Sequence, residues 1–243
     1  MFLPILKMRA EDLPDRAIVC GDPGRAKLIA DRLDEAKELS FNREYRTFVG
    51  SYEGVPLAVV SHGVGCPGAA VCFEELIRGG VKTLIRVGTA GSYTKELPPG
   101  SLVVSTAAAR TDGLTKQLVP EGFPAVADTQ LVSALFAQAS TVQDIPVKQG
   151  ITVCLDVFFN GVEEFPHKKY KESGAIAVEM EISALYVIAS LRGAKAAAIL
   201  ATDGYADADL SEVYDPYTGA VDKAVEAAID IALRTLTKGT EIA

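Results

Sequence analysis

What this sequence lacks narrows its function before any motif is read. No run of eighteen apolar residues occurs, although mean hydropathy is +0.20, so no membrane span is expected. Positive charge is scarce: 24 Lys and Arg stand against 32 Asp and Glu, a formal net charge of −8. Such a chain has no bulk field to hold a nucleic-acid backbone or an anionic membrane, so neither partner is expected. Any anionic ligand must meet a local cluster of arginines or helix N-termini. Only two histidines exist, His62 and His167, which excludes a three-His metal site and an HExxH motif. The four cysteines (Cys20, Cys66, Cys72, Cys154) show no CxxC spacing and lie in apolar segments. They read as free thiols in a reducing compartment, and a cytoplasmic location is expected. The opening MFLPILKMRAEDL is broken by Pro4 and turns charged, without the order of a signal peptide. No repeat, low-complexity tract or Pro/Gly/Ser-rich linker divides the 243 residues, so one domain over 1–243 is expected.

What is present is an alternation of short apolar runs with amphipathic ones. RAIVCG (16–21), KTLIRVG (82–88), SLVVSTAAA (101–109), GITVCL (150–155) and AKAAAILATD (194–203) read as buried strands. TFVGSYEGVPLAVVSHG reads as two strands joined at Glu53-Gly54. GRAKLIADRL (24–33) and PGAAVCFEELIRGG (67–80) read as helices, as do TQLVSALFAQAS, EISALYVIASLRG and TGAVDKAVEAAIDIALRTL. Strands separated by helices predict an α/β fold with a largely parallel sheet and ligands gathered at the carboxyl ends of the strands.

Gly63-Val64-Gly65-Cys66-Pro67-Gly68 fits GxGxxG, but the next strand ends without the acid that would hold a ribose hydroxyl of a dinucleotide. Arg86 lies there instead, and Pro67 removes a backbone donor from the turn. The glycines read better as a tight strand-to-helix turn. GDPGR and RVGTAGS each place Gly and Arg at an expected strand end, with Gly88, Thr89, Gly91 and Ser92 offering backbone amides and hydroxyls. Taken alone, each arginine is an ordinary surface charge. Two such ends in an acidic protein predict a phosphate-sized anion site, with Arg43 and Arg46 of NREYR as further candidates.

The segments GDPGR, NREYR, SHGVG, RVGTAGS, VEME and ATDG, in this order, resemble the hexameric purine nucleoside phosphorylase and uridine phosphorylase family. The resemblance implies one α/β domain around a central distorted mixed sheet, barrel-like and surrounded by helices. It implies phosphate binding by Gly21, Arg25, Arg86, Gly88 and Thr89, with Arg43 reaching the phosphate of a neighbouring subunit in a homohexamer, a trimer of dimers. Thr89 stands where the family usually has Ser. The resemblance also implies ribose binding by Met180 and Glu181 with Val64, and base binding by Phe158, Val178 and Asp203, with Phe159 packed behind Phe158. By residue type alone, Met180 is ordinary core and Glu181 an ordinary acid in a first helical turn. Asp203, an acid after an apolar strand, is a candidate for a raised pKa and for general acid catalysis. His62, beside Gly63, reads as a hydrogen-bonded structural group, and His167, in PHKKYKE, as solvated surface.

The implied activity is reversible phosphorolysis of purine nucleosides such as inosine and guanosine to base and ribose 1-phosphate, with phosphate as co-substrate and no metal or organic cofactor. The alternatives are a uridine phosphorylase and a 5′-methylthio-nucleoside phosphorylase or nucleosidase. Uridine-acting members carry Gln and Arg two residues apart after the aromatic loop, where this chain has Val162 and Glu164 in FFNGVEEF. Many members supply an N-terminal His to the sugar 5′-hydroxyl, and here Ile5 lies near that place, which implies acceptance of 5′-deoxy or 5′-methylthio nucleosides. Some also carry an Arg beyond the Asp, and none occurs between Asp203 and Arg234.

Overall fold

The computed structural model describes residues 1–159, 161–206 and 214–238. Its strands are β1 (Phe2–Leu3), β2 (Met8–Arg9), β3 (Arg16–Cys20), β4 (Asp34–Asn42), β5 (Tyr45–Tyr52), β6 (Val55–Ser61), β7 (Thr83–Ser92), β8 (Leu102–Arg110), β9 (Ala125–Val126), β10 (Val147–Cys154), β11 (Ala177–Glu179) and β12 (Lys195–Tyr205). Its helices are α1 (Pro23–Ala30), α2 (Cys66–Arg78), α3 (Gly113–Leu118), α4 (Thr129–Ala139), α5 (His167–Glu172), α6 (Ile182–Arg192) and α7 (Gly219–Lys238). Each apolar run singled out in the sequence became a strand, because Val, Ile and Ala there are covered by helices on one side and by the barrel interior or a neighbouring strand on the other.

The sheet runs β11-β10-β8-β12-β7-β3-β6-β5-β4, and β11 pairs again with β7. Five strands, β7, β12, β8, β10 and β11, therefore close on themselves, while β3, β6, β5 and β4 extend from β7 as a wing. The pairing is mixed rather than largely parallel: β7–β12, β8–β10, β10–β11, β3–β6 and β3–β7 are parallel, whereas β8–β12, β7–β11, β5–β6 and β4–β5 are antiparallel. Closure removes the open edges that β11 and the carboxyl end of β7 would otherwise present. β4 was not legible in the sequence. DEAKELSFN is charged and exposed along most of its length, as suits a strand at the free edge of the wing.

The helices cover the barrel. α6 is apolar all round and buried from Ile182 to Ala189, packed against α2, β8 and β12. α7 lays Ala224, Ala228, Ile231 and Leu236 inward and covers β12 and β7. α1 starts as its sequence requires: Pro23 takes the first turn, and Asp22 caps it by accepting hydrogen bonds from the amides of Gly24 (2.8 Å) and Arg25 (3.1 Å).

Candidate active site

The carboxyl ends of β3, β6, β7, β11 and β12 surround a cavity of about 880 Å³. Two turns bring the first two ends together. The Gly63 amide donates to the Gly21 carbonyl at 3.0 Å, which ties the GDPGR turn to the SHGVG turn. Gly63 has φ +75° and lies against Glu44, where a β-carbon would fall 2.7 Å from Cγ, so no other residue fits that corner without displacing Glu44.

The floor of the cavity is charged and buried. Arg86, on β7, is 4% exposed. Its Nη2 donates to Glu179 Oε2 at 3.2 Å and to Glu181 Oε2, and its Nη1 donates to His62 Nε2 at 3.2 Å. An arginine cannot accept, so the Nε2 of His62 must, and His62 Nδ1 then donates to the Gly63 carbonyl at 2.9 Å. This fixes a neutral imidazole. Burial and the adjacent Arg86 charge both hold the pKa of His62 well below its ordinary 6.5. Burial opposes the charge on Arg86, but Glu181 and Glu179 more than offset it and raise its pKa. Burial pushes Glu179 up against the pull of Arg86, with Glu181 adding repulsion. Glu179 ends β11 and starts α6, accepting from the amides of Glu181 (2.7 Å) and Ile182 (2.9 Å). Glu181 Oε1 accepts from the Gly65 amide at 2.7 Å. Gly88 does not line the cavity. A β-carbon there would lie 2.8 Å from Arg86 Cζ, so its bareness makes room for the guanidinium. Arg86 Nε is buried and has no partner, a donor left for a ligand or water.

The opposite end is aromatic. Asp203 is the extra residue of a bulge in β12, where the register against β7 shifts between Thr202 and Gly204. A bulge re-aims a side chain, and here it places the carboxyl on the cavity wall with 9% of the residue exposed. Burial raises its pKa, while hydrogen bonds from Tyr214 and Thr89 pull it partly back. Tyr214 Oη donates to Asp203 Oδ2 at 2.9 Å. Phe158 meets Tyr214 edge-on at 6.0 Å between centroids and Phe159 at 5.1 Å.

The structure brings Gly21, Arg25, Arg86, Thr89, Val64, Phe158, Val178, Met180, Glu181 and Asp203 to this one cavity. Arg43 does not line it. Arg43 lies exposed with φ +57° in the turn between β4 and β5. RVGTAGS does not end its strand at Gly88, where the sequence placed the strand end. It lies within β7, and its backbone pairs with β12 and β11 because barrel closure prolongs the strand. Phe159 touches the Phe158 ring but is not buried behind it: it is 78% exposed and itself lines the cavity. His167 is not solvated surface. It lines the cavity beside Phe165 and its Nδ1 shares a hydrogen bond with Tyr93 Oη at 2.8 Å, because the PHKKYKE segment folds as α5 with this residue first. The sequence reading also missed Glu179 and Tyr214. Glu179 stood in the same VEME motif as Glu181, where it ends β11 two residues before the residue that precedes α6. Tyr214 had no local signal.

The family description "Phosphorylase superfamily" matches residues 15–237. Over 237 residues the chain is 35% identical to guanosine phosphorylase of Halorubrum lacusprofundi, covering 96% of this chain and 98% of that one. It is also 35% identical to uridine phosphorylase of Thermococcus kodakarensis over 202 residues, 78% of this chain and 73% of the other. The crystal structure of purine nucleoside phosphorylase from Toxoplasma gondii in complex with immucillin-H superposes with a TM-score of 0.94 at 33% identity, covering 100% of this chain and 98% of that one. A closed mixed barrel, a deep cavity over a buried arginine and a match along nearly the whole length agree: the chain belongs to the phosphorylase superfamily, as an enzyme of its nucleoside phosphorylase branch.

Proposed function

We propose that this enzyme acts on purine nucleosides, splitting them with phosphate into free base and ribose 1-phosphate, reversibly. The observation that carries the purine reading is Asp203, a carboxyl bulged into an aromatic-walled cavity with its pKa raised. A purine leaves most readily when N7 receives a proton, and a carboxyl whose pKa burial raises is better fitted to supply it than an ordinary one. Pyrimidine recognition needs polar groups at the base end after the aromatic loop. Val162 and Glu164 are exposed there and do not line the cavity.

In this reading Arg25, Arg86, Gly21 and Thr89 seat the phosphate, with Gly88 acting through the space it gives Arg86. Glu181 accepts from the ribose hydroxyls, with Met180 and Val64 against the sugar. Phe158 and Val178 hold the base. The bond between C1′ and N9 breaks with its electrons going to the purine, Asp203 gives its proton to N7, and a phosphate oxygen attacks C1′ from the opposite face. The proton that ends on the base is replaced by the one the phosphate gives up, so charge and atoms balance. Positioning and the arginine charges supply most of the rate, and acid catalysis about 10²–10⁴-fold. No cofactor takes part in this scheme. Arg43, too exposed to serve its own cavity, completes the phosphate site of a neighbouring copy in a cytoplasmic homohexamer.

Turnover measured with and without phosphate over inosine, guanosine, adenosine and uridine tests this. Phosphate-dependent release of hypoxanthine and guanine ahead of the other bases is expected. Uridine as the best substrate, or equal turnover without phosphate, would overturn it.

A further inference from the structure

We propose that Tyr214 is a positioning residue for Asp203: its hydroxyl, donating to Oδ2 at 2.9 Å, leaves Oδ1 as the oxygen that carries the acid proton. This rests on the reading of Asp203 as the general acid given above.

The geometry fixes the tyrosine from two sides. Its ring lies directly on the main chain at Gly204, where a β-carbon would fall 2.9 Å from Cδ2. Its edge meets Phe158 with an interplanar angle of 64°. The ring is therefore held against the residue that follows the bulge, which sets its hydroxyl on Asp203. A protonated carboxyl has one good acceptor, its carbonyl-like oxygen, and one donor, its hydroxyl. Left alone in a cavity it can present either oxygen. A donor fixed on Oδ2 makes that oxygen the acceptor and commits the proton to the other. After transfer the same bond stabilises the carboxylate left behind, so it favours delivery as well as aim.

Four groups act on Asp203 against burial: the Tyr214 hydroxyl, the Thr89 hydroxyl of β7 and its own backbone by hydrogen bonding, and Arg25 of α1 by charge, all favouring the carboxylate. Tyr214 cannot compete for the proton-donor role. Burial, Asp203 and Tyr217 keep its phenol well above the ordinary tyrosine range, so it stays a neutral donor.

The test compares inosine with 7-methylinosine, whose cationic purine departs without being protonated. Tyr214→Phe keeps the ring on Gly204 and Phe158 and removes only the hydroxyl. Its kcat on inosine is expected to fall about tenfold, a part of the general-acid contribution. Its kcat on 7-methylinosine should stay within about twofold, because no acid is needed there. The fall in kcat with rising pH should move to higher pH, since Asp203 loses a bond that favoured its charged form. Equal losses on both nucleosides would mean a structural role, and no loss on either would mean no role. Both results overturn the proposal. Asp203→Asn, assayed beside it, separates the two levels. If it leaves inosine turnover intact, the acid reading itself fails and this inference falls with it. If it cuts inosine turnover alone while Tyr214→Phe behaves as wild type, only the inference fails.

Discussion

The two ends of the cavity are built on opposite principles. At the floor, Arg86, Glu179, Glu181 and His62 are all buried and bonded to one another or to backbone amides. At the mouth, Phe158 and Phe159 are 44% and 78% exposed and touch mainly other rings. The floor is set before any ligand arrives, and changes there disturb the fold and the chemistry together. The mouth rings carry little of the packing, so changes there should alter binding more than the fold.

The sharpest way to break this contrast is Arg86→Ala. It strands two buried carboxylates, a loss of about 3–5 kcal/mol in stability. Phosphorolysis should drop by at least about 10²–10³-fold, the cost of removing one electrostatic stabiliser. Thermal melting and phosphate-dependence kinetics read the two effects. A variant that melts like wild type would show that the floor is not preset by this ion cluster. Phe158→Ala should act in the reverse sense. The KM for nucleoside is expected to rise about tenfold, within the range for loss of one base–aromatic stack. The KM for phosphate and the melting temperature should barely move, and a large fall in melting temperature would erase the distinction. The smallest effect sharpens the floor alone. Below about pH 6.5 an unfolded chain protonates its histidines, whereas His62 in the folded chain stays neutral because burial and Arg86 oppose its charge. Stability is therefore lost as pH falls through that value. His62→Asn, compared at pH 7.5 and 5.5, should lose less stability on acidification than wild type, and an unchanged slope would refute the assignment.

Legibility in the sequence followed the same division. The floor residues Arg86 and Glu181 stand in compact motifs, RVGTAGS and VEME, whose residue types declare a charged site. Their partnership was hidden, because a contact between β7 and the start of α6 depends on barrel closure through β11, a strand of only three residues. That closure also carried the strand past its expected end at Gly88 to Ser92. Periodicity reports which face of a segment is buried and not which strands meet. Strands rich in Val, Ile and Ala were readable because their burial is nearly uniform, whereas β4 was not, since an edge strand built of Asp, Glu and Lys has the composition of a loop. At the mouth, Tyr214 lies eleven positions beyond Asp203 and reaches it only because Gly204 lets the ring settle on bare main chain.

The irregularity in β12 carries a consequence for how such a catalyst can diversify. Asp203 is surplus to the ladder, with Thr202 and Gly204 supplying the continuous pairing to β7 on either side. The chain can therefore exchange this one position while every neighbouring strand keeps its alignment. Removing that single residue would likewise leave Gly204 and Tyr205 opposite Gly91 and Ser92, and would take only the carboxyl out of the cavity.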